Sequence, residues 1–536
     1  MGNRLFWLPA LCTICSLVVL VGCSSGPIGG DSNEISQDNE SAEEPETSVT
    51  PIPISTEVPK IEVDAPAQVA EEEPSEESQW VPSFRFPEEW VTAEDLGEGI
   101  LLPLGAAPLP EGYIEEEYLV AGEAISYISE GPLTSDGFWT FTEGKLASYK
   151  TRMILRYPPA ERFSGVVVVE WFNVTAGVDN SIDWAYLAEE IGREGHAYIG
   201  VSAQLVGLMG RDSGRVPSGL IDTRGLPTRD PIRYGGLTHP GDAYSFDIFS
   251  QGALAGVAIL ASPDYGIQAE TIIGAGQSQS AAFLTSYLNA VHPIVDIFDG
   301  FLIHGRGDGA PNPTMQGDVA TNVLIRTDLN APTLIYETET DLTVLEYANA
   351  RQEDSDSIRT WEVAGTAHAD TYSLTHPNQL PRQASLGSIL GCPGLINDGP
   401  QHETLQAALH QLVTWVTDGV APTTAPRIEV SEDDELEIIR DEMGIAVGGI
   451  RTPPVTAPLR ILFGDPAVSE GFCFLFGQTF DIDQVTLLSM YESLDGYVAD
   501  LEAAAIRSVE NGWLLQVDAD IMVKEETRRA ITLGLG

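Results

Sequence analysis

The stretch that most restricts this chain is Thr271-Ile272-Ile273-Gly274-Ala275-Gly276-Gln277-Ser278-Gln279-Ser280-Ala281-Ala282-Phe283-Leu284. It opens as a short apolar run, passes through a turn of small residues and continues as a helix-forming segment over 280–290. A strand that turns this sharply into a helix presents the residue at its tip, here Ser278, clear of the backbone on both sides. The turn is so tight that the residues two before and two after the serine must be small. Gly276 and Ser280 meet that demand, although the usual pattern has Gly in the second place. The stretch therefore predicts a nucleophile elbow.

The flanking sequence agrees with that geometry. Gly165 to Trp171 is a continuous apolar run, as expected of a strand buried on both faces. Trp184, Leu187, Ala188 and Ile191 then recur at helical spacing over 181–194. Strands are predicted over 118–128, 149–157, 197–202, 271–275, 297–304, 333–337 and 359–363, and helices over 248–261 and 402–417. Alternation of this kind predicts an α/β fold with a mostly parallel sheet covered by helices on both faces. Residues 203–247 lack periodicity and hold many Gly, Pro and Arg, so they are expected to form a lid-like insertion. Residues 89–420 are expected to form the core, and 421–536 a less regular C-terminal extension packed on it. Within the extension, 428–439 reads as an acidic hairpin or edge strands and 497–511 as a helix.

The N-terminus reads as a targeting segment. Arg4 precedes an apolar run from Leu5 to Val21, and Leu20-Val21-Gly22-Cys23 resembles a bacterial lipobox. Residues 1–22 are thus expected to be a lipoprotein signal peptide and Cys23 the lipidated residue, with an uncleaved anchor as the alternative. Phe6 stands where myristoylation wants Ser or Thr. Residues 23–88 are rich in Ser, Glu, Pro and Thr and are expected to be a disordered acidic linker. No later stretch reads as apolar enough to cross a bilayer. The formal net charge is -53, from 80 Asp+Glu against 27 Lys+Arg. Such a surface repels phosphate backbones and anionic headgroups, so nucleic acid is not expected as a partner and the membrane only through the lipid anchor.

Five Cys are present. Cys12 and Cys15 lie in the signal peptide and Cys23 at its end, which leaves Cys392 and Cys473 to form a disulfide in an oxidising compartment. No spacing suggests zinc, and no metal or cofactor is expected.

A serine nucleophile needs a base in hydrogen-bond reach and a carboxylate to orient that base. In an elbow-bearing α/β sheet the chain order is Ser, acid, His. Asp341 follows the 333–337 strand, and His368 follows the 359–363 strand, so the chain fits Ser278, Asp341, His368. Glu339, two residues before Asp341, is the alternative acid. Asp341 is favoured because it is expected in the loop beyond the strand. His239 lies in the irregular segment and is a candidate to line the site, whereas the other six His have no comparable setting. The N–H of Gln279 is the expected first oxyanion donor. The second should come from the loop after the 166–169 strand, at Phe172 or Asn173.

Four segments carry a family resemblance. They are Glu170–Asp179, Leu237–Gln251, Gly276–Ser280 and Trp361–Asp370, with Asn397–Pro400 and Gly448–Pro453 in support. They resemble the alpha/beta hydrolase domain-containing family, the tenth catalogued α/β-hydrolase group, from about residue 90 to the end. The resemblance implies an α/β-hydrolase fold, Ser278 as nucleophile and His368 as base. It also implies that the C-terminal portion belongs to the same unit. Members of the family are mostly assumed to be carboxylic ester hydrolases.

Together these readings predict an exported serine hydrolase of the cell envelope, lipid-anchored or secreted, acting on a small-molecule ester. A surface lipoprotein that uses a hydrolase scaffold for binding, and a peptidase or amidase, are the alternatives. Acyl and alcohol specificity and oligomeric state are left open.

Overall fold

The computed structural model describes residues 90–92, 100–211, 221–317, 319–376, 390–431, 436–468 and 471–536. The expected signal peptide, Cys23 and the linker lie outside these residues. So do 212–220 of the lid-like segment and 432–435 of the acidic hairpin.

The organising element is a nine-stranded sheet. Its strands are β1 (Trp90–Thr92), β2 (Ile114–Ser129), β3 (Phe141–Tyr157), β4 (Val166–Trp171), β5 (Ala197–Val201), β6 (Thr271–Gln277), β7 (Gly300–His304), β8 (Thr333–Thr338) and β9 (Ile358–Val363). They run in the order β1-β2-β3-β5-β4-β6-β7-β8-β9. The six strands from β4 to β9 pair parallel with one another, whereas β1, β2 and β3 add antiparallel at one side. The register pairs Gln277 with His304 and Thr338 with Val363, so β6, β7, β8 and β9 end at one level. Every loop that follows them opens at that carboxyl edge.

Among the described residues, the helices of eight residues or more are α1 (Ile182–Glu194), α2 (Ser245–Leu260), α3 (Gln279–Ser286), α4 (Gln401–Asp418), α5 (Gln484–Tyr491), α6 (Leu494–Glu510) and α7 (Gln516–Thr532). Alternation along the strands sorts the core into two faces. Val166, Val168, Ile273, Ala275, Leu302 and Tyr336 pack with Trp184, Leu187 and Ile191 of α1 and with Leu405, Leu409 and Leu412 of α4. Trp171, of the opposite parity, meets the rings of Phe246 and Phe249 on α2 and Phe283 on α3. This is an α/β-hydrolase fold.

Three elements differ from expectation. The helical run Asp242 to Leu260, which includes α2, is long and apolar enough to cross a membrane. It is instead a core helix, 78% buried within the fold. Asp341 lies not in a loop but in a single helical turn, Glu339–Thr343. The 203–247 segment is not featureless, for it holds the short turns Leu205–Met209, Leu226–Arg229 and Pro231–Tyr234. It is fixed to the antiparallel strands. Lys150 and Thr238 exchange backbone bonds of 2.9 and 3.0 Å, and Glu117 accepts from Arg233 Nε at 2.7 Å and from the Tyr234 hydroxyl at 2.8 Å.

The C-terminal portion is more regular than its sequence suggests. A small antiparallel sheet joins β10 (Leu395–Ile396), β11 (Arg460–Phe463) and β12 (Gln478–Asp481) in the order β10-β12-β11. Helices α5, α6 and α7 close on Leu459, Leu487, Tyr497, Leu501 and Ala530. Arg460 bridges Asp398 at 2.7 Å and Glu526 at 2.9 Å, and Arg193 of α1 meets Asp518 of α7 at 2.7 Å. Cys392 and Cys473 are joined, with an S–S distance of 2.07 Å.

Candidate active site

Ser278 stands at the turn between β6 and α3 with φ 61° and ψ −119°. A non-glycine residue there stores about 1–3 kcal/mol of backbone strain, which the surroundings must hold. They do so from both sides. The Ser278 N–H donates to the His304 carbonyl at 2.8 Å. Gly276 leaves room for the returning helix, since a Cβ on it would sit 2.9 Å from Leu284 and 3.1 Å from the Ser280 Cβ. The serine itself is only half-buried.

His368 follows β9 and lies 2.8 Å from Ser278 Oγ through Nε2 and 2.6 Å from Asp341 Oδ1 through Nδ1. The Asp341 carboxylate is anchored independently. Its Oδ2 accepts from the Thr338 N–H and hydroxyl, both at 2.7 Å, in a capping box. The free oxygen is thereby aimed at the imidazole. Gly305 has φ 62°, which side chains rarely adopt, and a Cβ there would press at 3.3 Å on both Asp341 Oδ2 and His368 Nδ1, so glycine suits the loop after β7.

Glu339, the alternative acid, does not reach the imidazole. It is fully buried and accepts from the N–H of Gly365 at 2.6 Å, the N–H of Gly464 at 2.9 Å and Arg440 at 2.8 Å. Burial raises its carboxyl above the usual range, against the pull of the Arg440 guanidinium. His239 is likewise taken up structurally, with Nε2 on the Ala203 carbonyl at 2.9 Å and Nδ1 accepting the Gly241 N–H at 3.1 Å.

The N–H of Gln279 opens α3, where first-turn donors have no partner within the helix. The expected second donor needs correction. The Phe172 N–H is spent on the Val201 carbonyl and the Asn173 N–H on the Asn180 carbonyl, while Asn173 Nδ2 donates to the Gln277 carbonyl at 3.0 Å. These bonds close the loop on itself and leave Asn173 with a bracing task. The next N–H, of Val174, meets only the Gln279 side-chain carbonyl, at 3.4 Å. That side chain is steadied by Gln204, whose Oε1 accepts from Gln279 Nε2 at 2.9 Å and from Trp171 Nε1 at 3.1 Å.

A second His–carboxylate contact lies beneath the turn. His304 Nδ1 is 2.9 Å from Asp183 Oδ1, and both are buried. Burial drops His304 to about 3, so the ring is neutral, and the Gln401 amide nitrogen 2.9 Å from its Nε2 leaves Nδ1–H to donate. Glu170 accepts the first N–H groups of α1, from Asp183 at 3.1 Å and Trp184 at 2.9 Å. Burial raises the carboxyls of Glu170 and Asp183 far above the usual range, with Asp183 adding repulsion at Glu170. Among the described residues Glu190, Glu194 and His410 could gather round a cation, but Arg193 Nε already bonds Glu190 at 2.8 Å.

The sequence model of the alpha/beta hydrolase domain matches residues 92–524. The chain belongs to the alpha/beta hydrolase domain family. No curated protein matches it. Solved structures similar to this hydrolase include the Rhizomucor miehei esterases, at 11% identity and a TM-score of 0.31, covering 59% of this chain and 88% of theirs. Another is the CE15 glucuronoyl esterase of Teredinibacter turnerae, at 13% identity and 0.25, covering 51% and 67%. A third is an alpha-beta serine hydrolase homologue of Coxiella burnetii, at 12% identity and 0.24, covering 41% and 84%.

Proposed function

We propose that this hydrolase is a serine carboxylesterase that works through an acyl-enzyme. The observation that carries the proposal is the unbroken contact from Ser278 Oγ through His368 to Asp341, at 2.8 and 2.6 Å. Ser278 Oγ bonds to the ester carbonyl carbon while its proton passes to His368 Nε2. Asp341 keeps the ring in the Nδ1–H tautomer and stabilises the imidazolium. The carbonyl π pair moves onto oxygen, which faces the N–H groups of Gln279 and Val174 once the Gln279 side chain gives way. Collapse breaks the C–O bond, and the leaving alkoxide takes the proton from Nε2. Water then attacks the acyl-enzyme with His368 as base, and the carboxylic acid departs.

Ser278→Ala should lower aryl acetate hydrolysis by several orders of magnitude and abolish fluorophosphonate labelling. Undiminished hydrolysis by folded Ser278→Ala would sink the assignment, and a wild type that neither labels nor hydrolyses would favour a binding scaffold. The 203–247 segment, entered at Gln204, is proposed to shape the acyl or alcohol pocket. Its replacement by a short linker should change selectivity across esters of graded chain length, and unaltered selectivity would count against it.

In the same reading, residues 1–22 direct export, Cys23 carries the lipid and 23–88 tether the enzyme outside a bacterial membrane. The tetrad Leu20 to Cys23 supports this. Two acyl chains anchor stably where one does not. Cys23→Ser should release the protein or leave it unprocessed, and a wild type found free with an unmodified N-terminus would refute the anchor.

A further inference from the structure

Gln277, the residue before the serine, is 2% exposed and points back at the imidazole. Its Nε2 lies 3.1 Å from His368 Nε2, the same nitrogen that Ser278 Oγ approaches at 2.8 Å. A second contact, to the His368 carbonyl, is long at 3.5 Å. The amide oxygen Oε1 is buried with no partner. The backbone beneath is fixed, because the Gln277 carbonyl accepts Asn173 Nδ2 at 3.0 Å and the residue is paired with His304 across β6 and β7.

Neutral His368 donates from Nδ1 to Asp341, so its Nε2 offers one lone pair, shared between the Ser278 hydroxyl at 2.8 Å and the Gln277 amide at 3.1 Å. An amide N–H suits that state. When the serine proton arrives, Nε2 becomes a donor, and an amide N–H facing it would be repulsive. The two ends of a side-chain amide have the same shape, so a half-turn replaces Nε2 by Oε1 in the same space. The oxygen then finds the donor it lacks.

We propose that Gln277 is a positioning residue for His368, its amide turning over as the ring gains and loses its proton. The role rests on the serine hydrolase reading. The charged and titratable groups facing His368 are Asp341 from the turn after β8 and His304 from β7. Glu337 stands behind Asp341, and Glu339 is turned away to Arg440.

The test compares Gln277→Glu and Gln277→Met in the full chain by the pH profile of kcat/KM for an aryl acetate, followed by acid release. Glu fixes an acceptor at Nε2 and should move the acid limb up by about one pH unit or more, as a contacting opposite charge does. Met removes the acceptor and should move the limb down, with kcat lowered about tenfold for one lost charge-assisted bond. Gln277→Glu raises its limb whatever the native role, so it serves as the control that the position senses His368. A role confined to packing leaves the Gln277→Met limb in place, and a Met limb that stays put or moves up overturns the proposal. If Gln277→Glu does not fold by thermal melting, the limb of Gln277→Met decides alone. Ser278→Ala is measured alongside. Should hydrolysis and labelling survive in it, the serine hydrolase reading falls and this role with it. Where both depend on Ser278 but the Gln277→Met limb does not move down, the Gln277 role alone is wrong.

Discussion

Asp341→Asn isolates one oxygen of the candidate site. In the native carboxylate Oδ2 takes two bonds from Thr338, and Oδ1 takes one from His368 Nδ1 at 2.6 Å. Asparagine has a single acceptor oxygen. If it stays with the Thr338 N–H, its NH2 faces Nδ1, and the ring must adopt the tautomer with hydrogen on Nε2. That ring cannot take the serine proton. The opposite orientation sets NH2 against the buried Thr338 N–H, which costs about 1–3 kcal/mol for an unsatisfied donor. The first orientation therefore prevails, and kcat should fall by about three to four orders of magnitude. That corresponds to about 4–5.5 kcal/mol of transition-state stabilisation. Thr338→Val keeps the N–H bond and loses the hydroxyl, so a loss of about tenfold is expected for one bond to a charged group. Glu339→Gln should lower the melting temperature more than kcat. The assay is aryl acetate hydrolysis at saturating substrate, with melting measured on each variant. If Glu339→Gln loses three orders at an unchanged melting temperature while Asp341→Asn is mild, the two acids must exchange roles.

Two further outcomes follow from burial and connectivity. Reducing the Cys392–Cys473 bridge, which closes a span of 81 residues, should cost about 4–5 kcal/mol in the chain-entropy account. Intact mass of denatured, alkylated protein without reductant should show no label at these two positions, and two labels there would end the claim. Burial raises the carboxyls of Glu170 and Asp183 well above the usual carboxylate range. An unfolded chain would release these protons near pH 4, so above that pH the folded state binds more protons and the pair's contribution to stability falls as pH rises. Urea midpoints from pH 5 to 8.5 should decline less steeply in Asp183→Asn than in wild type, and equal slopes would refute the reasoning.

The parts of the molecule that were legible are those where side-chain identity and backbone geometry are tied together. A strand buried on both faces is apolar along most of its length, so β4 declares itself at Val166–Val169 despite the Glu170 that follows. The elbow needs small residues at fixed offsets, so Gly276 and Ser280 frame Ser278. The order of Ser278, Asp341 and His368 was readable because each follows a parallel strand, and such strands end at one edge. The second N–H for an oxyanion was not readable, since backbone donors carry no side-chain signature and Asn173 looks no different from Val174 until the loop closes on Asn180. The Gln277 contact was hidden for a related reason, because the residue before an elbow serine has no fixed identity. Helix α7 escaped because its buried apolar positions, Ala519, Met522 and Ala530, are few and its surface is mostly charged. The acceptance of Arg193 by Asp518, which locates it, comes from 325 residues away.

The buried Glu339 has a consequence for how this enzyme can be divided. One carboxylate grips Gly365, three residues before His368, together with Gly464 and Arg440 from the C-terminal portion. The loop bearing His368, the turn bearing Asp341 and a segment more than a hundred residues downstream thus meet on one carboxylate. A boundary drawn near residue 420 would leave that anion inside the shortened protein with its guanidinium and one of its amides gone. The loop of His368 would keep only the Gly365 N–H on that carboxylate, without the contacts from Gly464 and Arg440. The C-terminal portion is accordingly not a detachable appendage. It supplies two of the three donors that hold the Glu339 carboxylate beside the turn of Asp341.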